Sequence, residues 1–315
     1  MLIARVVIGG VLSTLATITY AQDYPVKPIR IYAGAAGGGG DFTGRLVAQG
    51  ISPALGQPVI VENRANGVIA AEAVSKSPPD GYALALGGGS TWTFQLLQKA
   101  PYDVLRDFTA VSLLVREVFI IAVHPSLPVL SVKELIALAK ARPGDLNYSS
   151  VGVGGSAHLA TELFNSMAGI KILHVPYKGN AAAITALVSG EVQMTISDAG
   201  LLAAHGKSGK VRGLAVTSAT PSALAPGMPT VAATVPGYEV IGVTGLFAPI
   251  GTSAAVINRL NQEITRFLNR TETKEKFFGA GAEVVASTPE QFAAFVKTDI
   301  NKMAKVIKDA GIKPN

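Results

Sequence analysis

From Tyr24 onward the apolar positions of the chain repeatedly change period. Short β-type runs, "IRIYAG" (29–34), "PVIVEN" (58–63) and "YALALG" (82–87), alternate with helical stretches at 42–55 and 68–75. In the first of these helices Phe42, Leu46 and Val47 share one face, and the breaker "PPDGY" (78–82) turns the chain from helix to strand. This βαβαβ alternation predicts a parallel sheet flanked by helices. It resumes with a helix at 132–141, N-capped by Ser131, then a strand at 146–151, a helix at 156–168, a strand at 171–175, a helix at 181–188, a strand at 192–197, a short helix at 201–205 and a strand at 211–218. Helices at 254–268 and 290–309, with a strand at 283–286 between them, close the chain. Two extended stretches, "VFIIAVHP" (118–125) and "YEVIGVTGLFAP" (238–249), stand where one unit gives way to the other. The pattern predicts two α/β domains, 22–122 with 243–315 and 123–242, joined by crossing strands around an interdomain cleft.

The first 21 residues do not fit this scheme. Met1 to Arg5 are followed by a charge-free run, Val6 to Gln22, ending in Thr19-Tyr20-Ala21, which reads as a secretory signal (1–21) cleaved after Ala21. The run is also just long enough for an uncleaved anchor. Lys and Arg number 27 against 21 Asp and Glu, a net charge of +6, and loss of Arg5 leaves +5. That mild excess suits small anions, and no basic run is long enough for a nucleic-acid patch. The absence of cysteine excludes disulfides, thiolate metal sites and cysteine catalysis. An exported chain without such staples must rely on a large core, which 49% hydrophobic content can supply.

Two segments carry candidate chemistry. "AGAAGGGGDFTGRL" (33–46) follows a strand and opens a helix, and "YSSVGVGGSAHLATELF" (148–164) repeats the arrangement, with Ser156 able to cap. Bare backbone at a helix start presents N–H groups and a partial positive charge, and in open α/β sheets such loops lie at the ligand-binding edge. Two of them facing across a cleft would grip an anion from both sides. Nucleotide signatures fail: Arg45-Leu46 stands where a phosphate loop needs Lys-Ser/Thr, and Phe42 and Thr43 break G-x-G-x-x-G. "GGSAH" (154–158) is only superficially a nucleophile elbow, since His158 replaces the final glycine and diverges from Ser156. The histidines and aspartates lack metal-ligand spacing. Asp198, at the end of a strand, is either a helix cap or a ligand contact. Trp92, the only tryptophan, is either core or a stacking surface in the cleft.

Segments such as "YPVKPIRIYAGAAGGGGD", "LGQPVIVENRANG", "AAEAVSKSPPDGYALALG", "PYDVLRDFTAVSLL", "HPSLPVLSVKELIALAKARPGDLNYSS", "GSAHLATELFNSMAGIKILHVPYKGNAAAITALVSGEVQ", "LAVTS" and "MPTVA" resemble the tripartite tricarboxylate transporter substrate-binding proteins, or Bug receptors, over essentially the whole chain after the leader. The resemblance implies a periplasmic, monomeric, two-domain Venus-flytrap receptor of the type II periplasmic binding protein kind, without enzymatic activity, cofactor or metal. It implies capture of a small carboxylated solute and transfer to membrane permease subunits, or presentation to a sensor kinase; an enzyme on the same scaffold is the remaining alternative. Main-chain groups of Gly34 to Asp41 and Gly154 to His158 would hold the ligand carboxylate. The candidate contacts are Gly34, Ala35, Ala36, Gly38, Gly39, Gly40, Asp41, Ser90, Trp92, Gly154, Gly155, Ser156, Ala157, His158, Tyr177 and Asp198. The family's first loop usually opens on a Pro-Phe-Pro-Pro-like segment, but here it is Ala33-Gly34-Ala35-Ala36, followed by Gly40 where a threonine is common. That departure implies a roomier pocket for a bulkier or aromatic carboxylate, with Trp92 as its stacking partner.

Overall fold

The structure, a computed structural model, describes residues 24–309 and 311–312; the expected leader at 1–21 lies outside the described residues. The first half runs β1 (Ile29–Ala33), α1 (Gly39–Leu55), β2 (Val59–Asn63), α2 (Gly67–Ser75), β3 (Ala83–Gly88), the short α3 (Gly89–Thr93) and α4 (Val104–Asp107), and then the long β4 (Phe108–Val123). The second half follows as α5 (Val132–Ala141), β5 (Asn147–Val151), α6 (Ser156–Ala168), β6 (Leu173–Tyr177), α7 (Asn180–Val188), β7 (Met194–Asp198), α8 (Ala199–Lys207) and β8 (Arg212–Val216). The chain returns through β9 (Ile241–Pro249), α9 (Ala254–Leu268), α10 (Thr271–Gly279), β10 (Ala282–Val284) and α11 (Pro289–Asp309).

The strands form one mixed sheet in the order β2-β1-β3-β9-β4-β7-β5-β6, with β8 and β10 also on β4. β1 is parallel to β2 and β3, and β5 to β6 and β7, as the alternation of strands and helices requires. The two crossing strands are antiparallel to their partners. β9 pairs with β3 and with residues 108–118 of β4, whereas residues 119–123 of β4 pair with β7. β4 is therefore one continuous strand shared by both halves, and ten residues of it precede the stretch read as extended from the sequence.

Each half has its own core. Ile31, Val47, Ile51, Leu84, Leu114, Leu246 and Leu260 fill the first, and Tyr148, Leu159, Phe164, Met194, Ile196 and Tyr238 the second. α1 and α9 approach closely because Gly50 has no side chain; a Cβ there would stand 2.1 Å from the Phe267 ring. α11 belongs to both halves: Phe292, Val296 and Ile300 pack around Trp92 and Phe247, while Met303, Val306 and Ile307 join the second core. Its hydrophobic side is thus used along its whole length, first against one half and then the other.

Candidate functional site

Between the halves lies a cavity of about 980 Å³, lined by residues from both. Five helices begin on its wall: α1 at Gly39, α3 at Gly89, α6 at Ser156, α7 at Asn180 and α8 at Ala199 to Gly200. None of the five is capped by a side-chain hydrogen bond. By contrast α2, α5 and α9 are capped by Asn66, Ser131 and Ser253. The first N–H groups of a helix have no partner within it, so main-chain donors from five helix starts, four of them on helices of nine residues or more that carry a dipole, border this one space. Among the described residues no lysine or arginine lines it, and the ionisable residues on its wall are Glu117, Asp198 and His205. The two halves come close there, since a Cβ on Gly89 would stand 3.8 Å from Ser156 Oγ.

The first glycine-rich turn is held from behind. Gly37, in the left-handed conformation (φ 81°), donates its N–H to Asp41 Oδ2 at 3.0 Å. Asn63 Nδ2 donates to Asp41 Oδ1 at 2.8 Å and to the Gly34 carbonyl at 2.9 Å, and Arg45 Nε lies 3.0 Å from Asp41 Oδ1. Burial works against the Asp41 charge, but the Gly37 N–H, Arg45 and Asn63 outweigh it and hold the carboxyl down to about 2. With Asp41 turned inward, Gly38, Gly39 and Gly40 are left on the cavity wall, whereas Gly34, Ala35, Ala36 and Asp41 are not on it. Asp41, expected from the sequence as a ligand contact, here braces the turn from behind the wall.

The second turn is held by neutral rings. Gly154 donates its N–H to His158 Nδ1 at 3.0 Å, and the buried His158 ring, 5% exposed, stacks on His174 with centroids 4.2 Å apart. Ser150 Oγ lies 2.7 Å from His174 Nε2, and Tyr148 lies nearly parallel to both rings, its centroid 5.0 Å from His174 and 6.4 Å from His158, while its hydroxyl donates to Glu162 at 2.6 Å. Burial lowers the pKa of His158; burial and the neighbouring His158 bring His174 down to about 4. Accepting from Gly154 requires an unprotonated Nδ1, which this environment supplies. Gly155 allows the tight fold, since a Cβ would meet the Val151 carbonyl oxygen at 2.7 Å. Gly155, Ser156 and Ala157 line the cavity, while Gly154 and His158 stand behind it. The cap of α6 is Gly155, and Ser156 is its first residue, so the expected cap at Ser156 is corrected too.

Ser90 and Asp198 lie on the cavity wall. Asp198 occupies the cap position of α8 without capping it through its side chain, and burial pushes its carboxyl up to about 6. Trp92 is not a cleft residue. It is 0% exposed, donates Nε1–H to Asp299 at 2.8 Å, and meets Phe247, Phe292 and Phe295 edge-on. Tyr177 is likewise not on the cavity wall, with its hydroxyl on Glu191 at 2.8 Å. The residues missed from the sequence include Glu117, Ser197, Thr244, Asn180 and His205. Arg116-Glu117 interrupts the apolar run of β4, and strand alternation sends the two side chains to opposite faces. Arg116 meets Glu283 at 2.8 Å, while Glu117 turns to the cavity, where burial and the Asp198 charge push its carboxyl up to about 7. That interruption was the available signal.

Among the described residues no group of three His, Cys, Asp or Glu side chains could hold a metal ion, and no helix is long and apolar enough to cross a membrane.

With this geometry in view, residues 43–312 match the tripartite tricarboxylate transporter family receptor. The chain is 36% identical to Protein BugT of Bordetella pertussis, over 98% of this chain and 97% of that one. It is similar to the adipate-bound R. palustris protein Rpa4515, with a TM-score of 0.83 and 35% identity over 93% of this chain and all of the other. MatC from Rhodopseudomonas palustris, solved with malate bound, gives a TM-score of 0.78 at 27% identity over 90% of this chain and 100% of MatC.

Proposed function

Because the chain belongs to the tripartite tricarboxylate transporter receptor family, a family of solute-binding proteins, we propose that its cavity captures a small carboxylated solute in the periplasm for a membrane permease. The observation that carries this reading is the convergence of five uncapped helix starts on a cavity with no lysine or arginine on its wall. Oriented main-chain donors at the positive ends of helices hold a carboxylate without a salt bridge. The similar proteins solved with adipate and malate support the ligand class. Residues 22–122 with 243–315 and residues 123–242 act as the two bodies of the clamp. The crossing strands β4 and β9 form the hinge between them, and a ligand touching Gly38 to Gly40 on one side and Gly155 to Ala157 on the other favours the closed state through contacts that only that state offers.

Nothing in the pocket favours an aromatic solute through Trp92, which is committed to the core. The reading is tested by thermal denaturation of the protein with mono-, di- and tricarboxylates, amino acids and nucleotides. A carboxylate bound to the folded state raises the melting temperature, increasingly so as its concentration exceeds Kd. Ser156→Asp, which places a fixed carboxylate at the start of α6, should abolish that rise. A rise with nucleotides alone, or with no carboxylate, overturns the reading.

A further inference from the structure

The cavity carries a second chemistry that its helix starts do not explain. Resting on the receptor reading above, we propose that Glu117, Asp198, Ser197 and Thr244 form an acidic subsite that recognises an ammonium group, so that the preferred solute is an amino-carboxylate rather than a plain carboxylate. Glu117 stands on the hinge strand between the two parts of the first-half wall: a Cβ on Gly242 would lie 2.8 Å from its Oε2 and one on Gly39 would lie 3.5 Å from its Oε1. Its carboxylate is therefore beside the start of α1. Asp198 comes from the opposite half, at the carboxyl end of β7, two residues along the β4 register from Glu117. Among the described residues Glu117 has no hydrogen bond or ion pair, Asp198 has no cation and accepts only from its own backbone N–H, and Arg116, the nearest cation in sequence, is occupied by Glu283.

Two further groups deepen the subsite. Ser197 and Thr244, 9% and 7% exposed, line the same cavity, and neither hydroxyl has a hydrogen-bond partner among the described residues. Both hydroxyls open on the cavity, where a ligand can pair with them. A plain dicarboxylate could place one end on the helix starts, but its other end would meet Glu117 and Asp198 with no lysine or arginine to separate the charges. An ammonium group reverses the sign of that contact and gives three donors to two carboxylates and two hydroxyls. The raised carboxyls of Glu117 and Asp198 fit the same picture, as two acids held in a low-dielectric wall without a cation.

The test compares matched probes by isothermal titration: succinate, aspartate and 4-aminobutanoate, and adipate, 2-aminoadipate and 6-aminohexanoate. In the wild-type protein an amine-bearing probe should bind at least about tenfold more tightly than the amine-free member of its set. Glu117→Gln and Asp198→Asn should each shrink that ratio about tenfold or more while leaving the amine-free probe bound as well or better; an unchanged melting temperature or a raised one shows that the variants fold. Amine-free probes that match or exceed their amine-bearing partners in wild type overturn the acidic subsite and leave the carboxylate receptor standing. Failure of every probe in both sets to bind overturns the subsite and the receptor reading together.

Discussion

At the turn that opens α1, an ionised Asp41 accepts from Gly37 and Asn63 beside Arg45; at the turn that opens α6, the neutral His158 accepts from Gly154 and is stacked on His174. Both acceptors lie behind the cavity wall, and both hold a glycine-rich backbone so that the next residues present their N–H groups forward. The difference teaches that the binding surface places no demand on the chemistry of its brace. A charge serves where Asn63 and Arg45 can stabilise it, and an imidazole serves where Tyr148 and the second core exclude a cation. The braces differ instead in when they fail. Asp41 is held below its ordinary value, so its contribution is present above pH 3.8 and is lost as pH falls toward about 2. His158 and His174 are also lowered, but as bases: the folded protein resists their protonation, so stability is full above about 6.5 and falls as pH drops from there, toward about 4 for His174.

Removing the charged brace should do the greatest harm. Asp41→Ala removes the charged acceptor shared by the Gly37 N–H, the Asn63 amide and Arg45, at about 2–4 kcal/mol of stability for hydrogen bonds made to a charge. It should weaken the best carboxylate probe at least about tenfold. Chemical denaturation and titration calorimetry read the two effects, and an unchanged Kd would detach the first turn from binding. His158→Phe should cost less, about 1–3 kcal/mol, because the ring stack survives and only the Gly154 N–H loses its acceptor. Its destabilisation relative to wild type should shrink between pH 7 and pH 5, whereas that of Asp41→Ala should persist to about pH 4. Equal pH dependence in the two variants would erase the distinction between the braces. The smallest effect is expected from Arg45→Ala, under about 1 kcal/mol, since the Arg45 side chain is 55% exposed and Asp41 retains its other donors.

The two turns were legible in the sequence because glycines after an apolar run and before an amphipathic one fix where a strand becomes a helix. The helices at 132–141 and 254–268 lie where they were read, the first with the Ser131 cap named from the sequence, while Ser253, which caps the second, was not read. α10 was missed: Thr273 and Phe277 are its buried residues, and the charged string around them hides any period. Side-chain direction was the harder problem. Asp41 and His158 lie within the turns they brace, and sequence proximity to a loop does not distinguish a residue that faces the ligand from one that holds the loop from behind. Trp92 stayed open between core and cleft, and Glu117 was not singled out, because a lone aromatic after a strand fits either place and a lone acid in an apolar strand shows no partner in the local sequence. Their partners, Asp299 for the one and Asp198 with Gly242 for the other, are remote in the chain and become neighbours only through the sheet.

The position of β9 between β3 and β4 also governs the order in which the protein can be completed. A chain that emerges with its N-terminus first delivers β1, β2 and β3 early, yet the edge of β3 has no partner until the entire second half has been made and β9 follows it. The second half has its own parallel strands close together in the chain and can close around β5, β6 and β7 while the first still waits. An unpaired edge is a template for unwanted association, and pairings so distant in sequence form slowly. The strand that lies between β3 and β4 in the finished sheet is thus also the one whose arrival ends the exposure of the nascent edge.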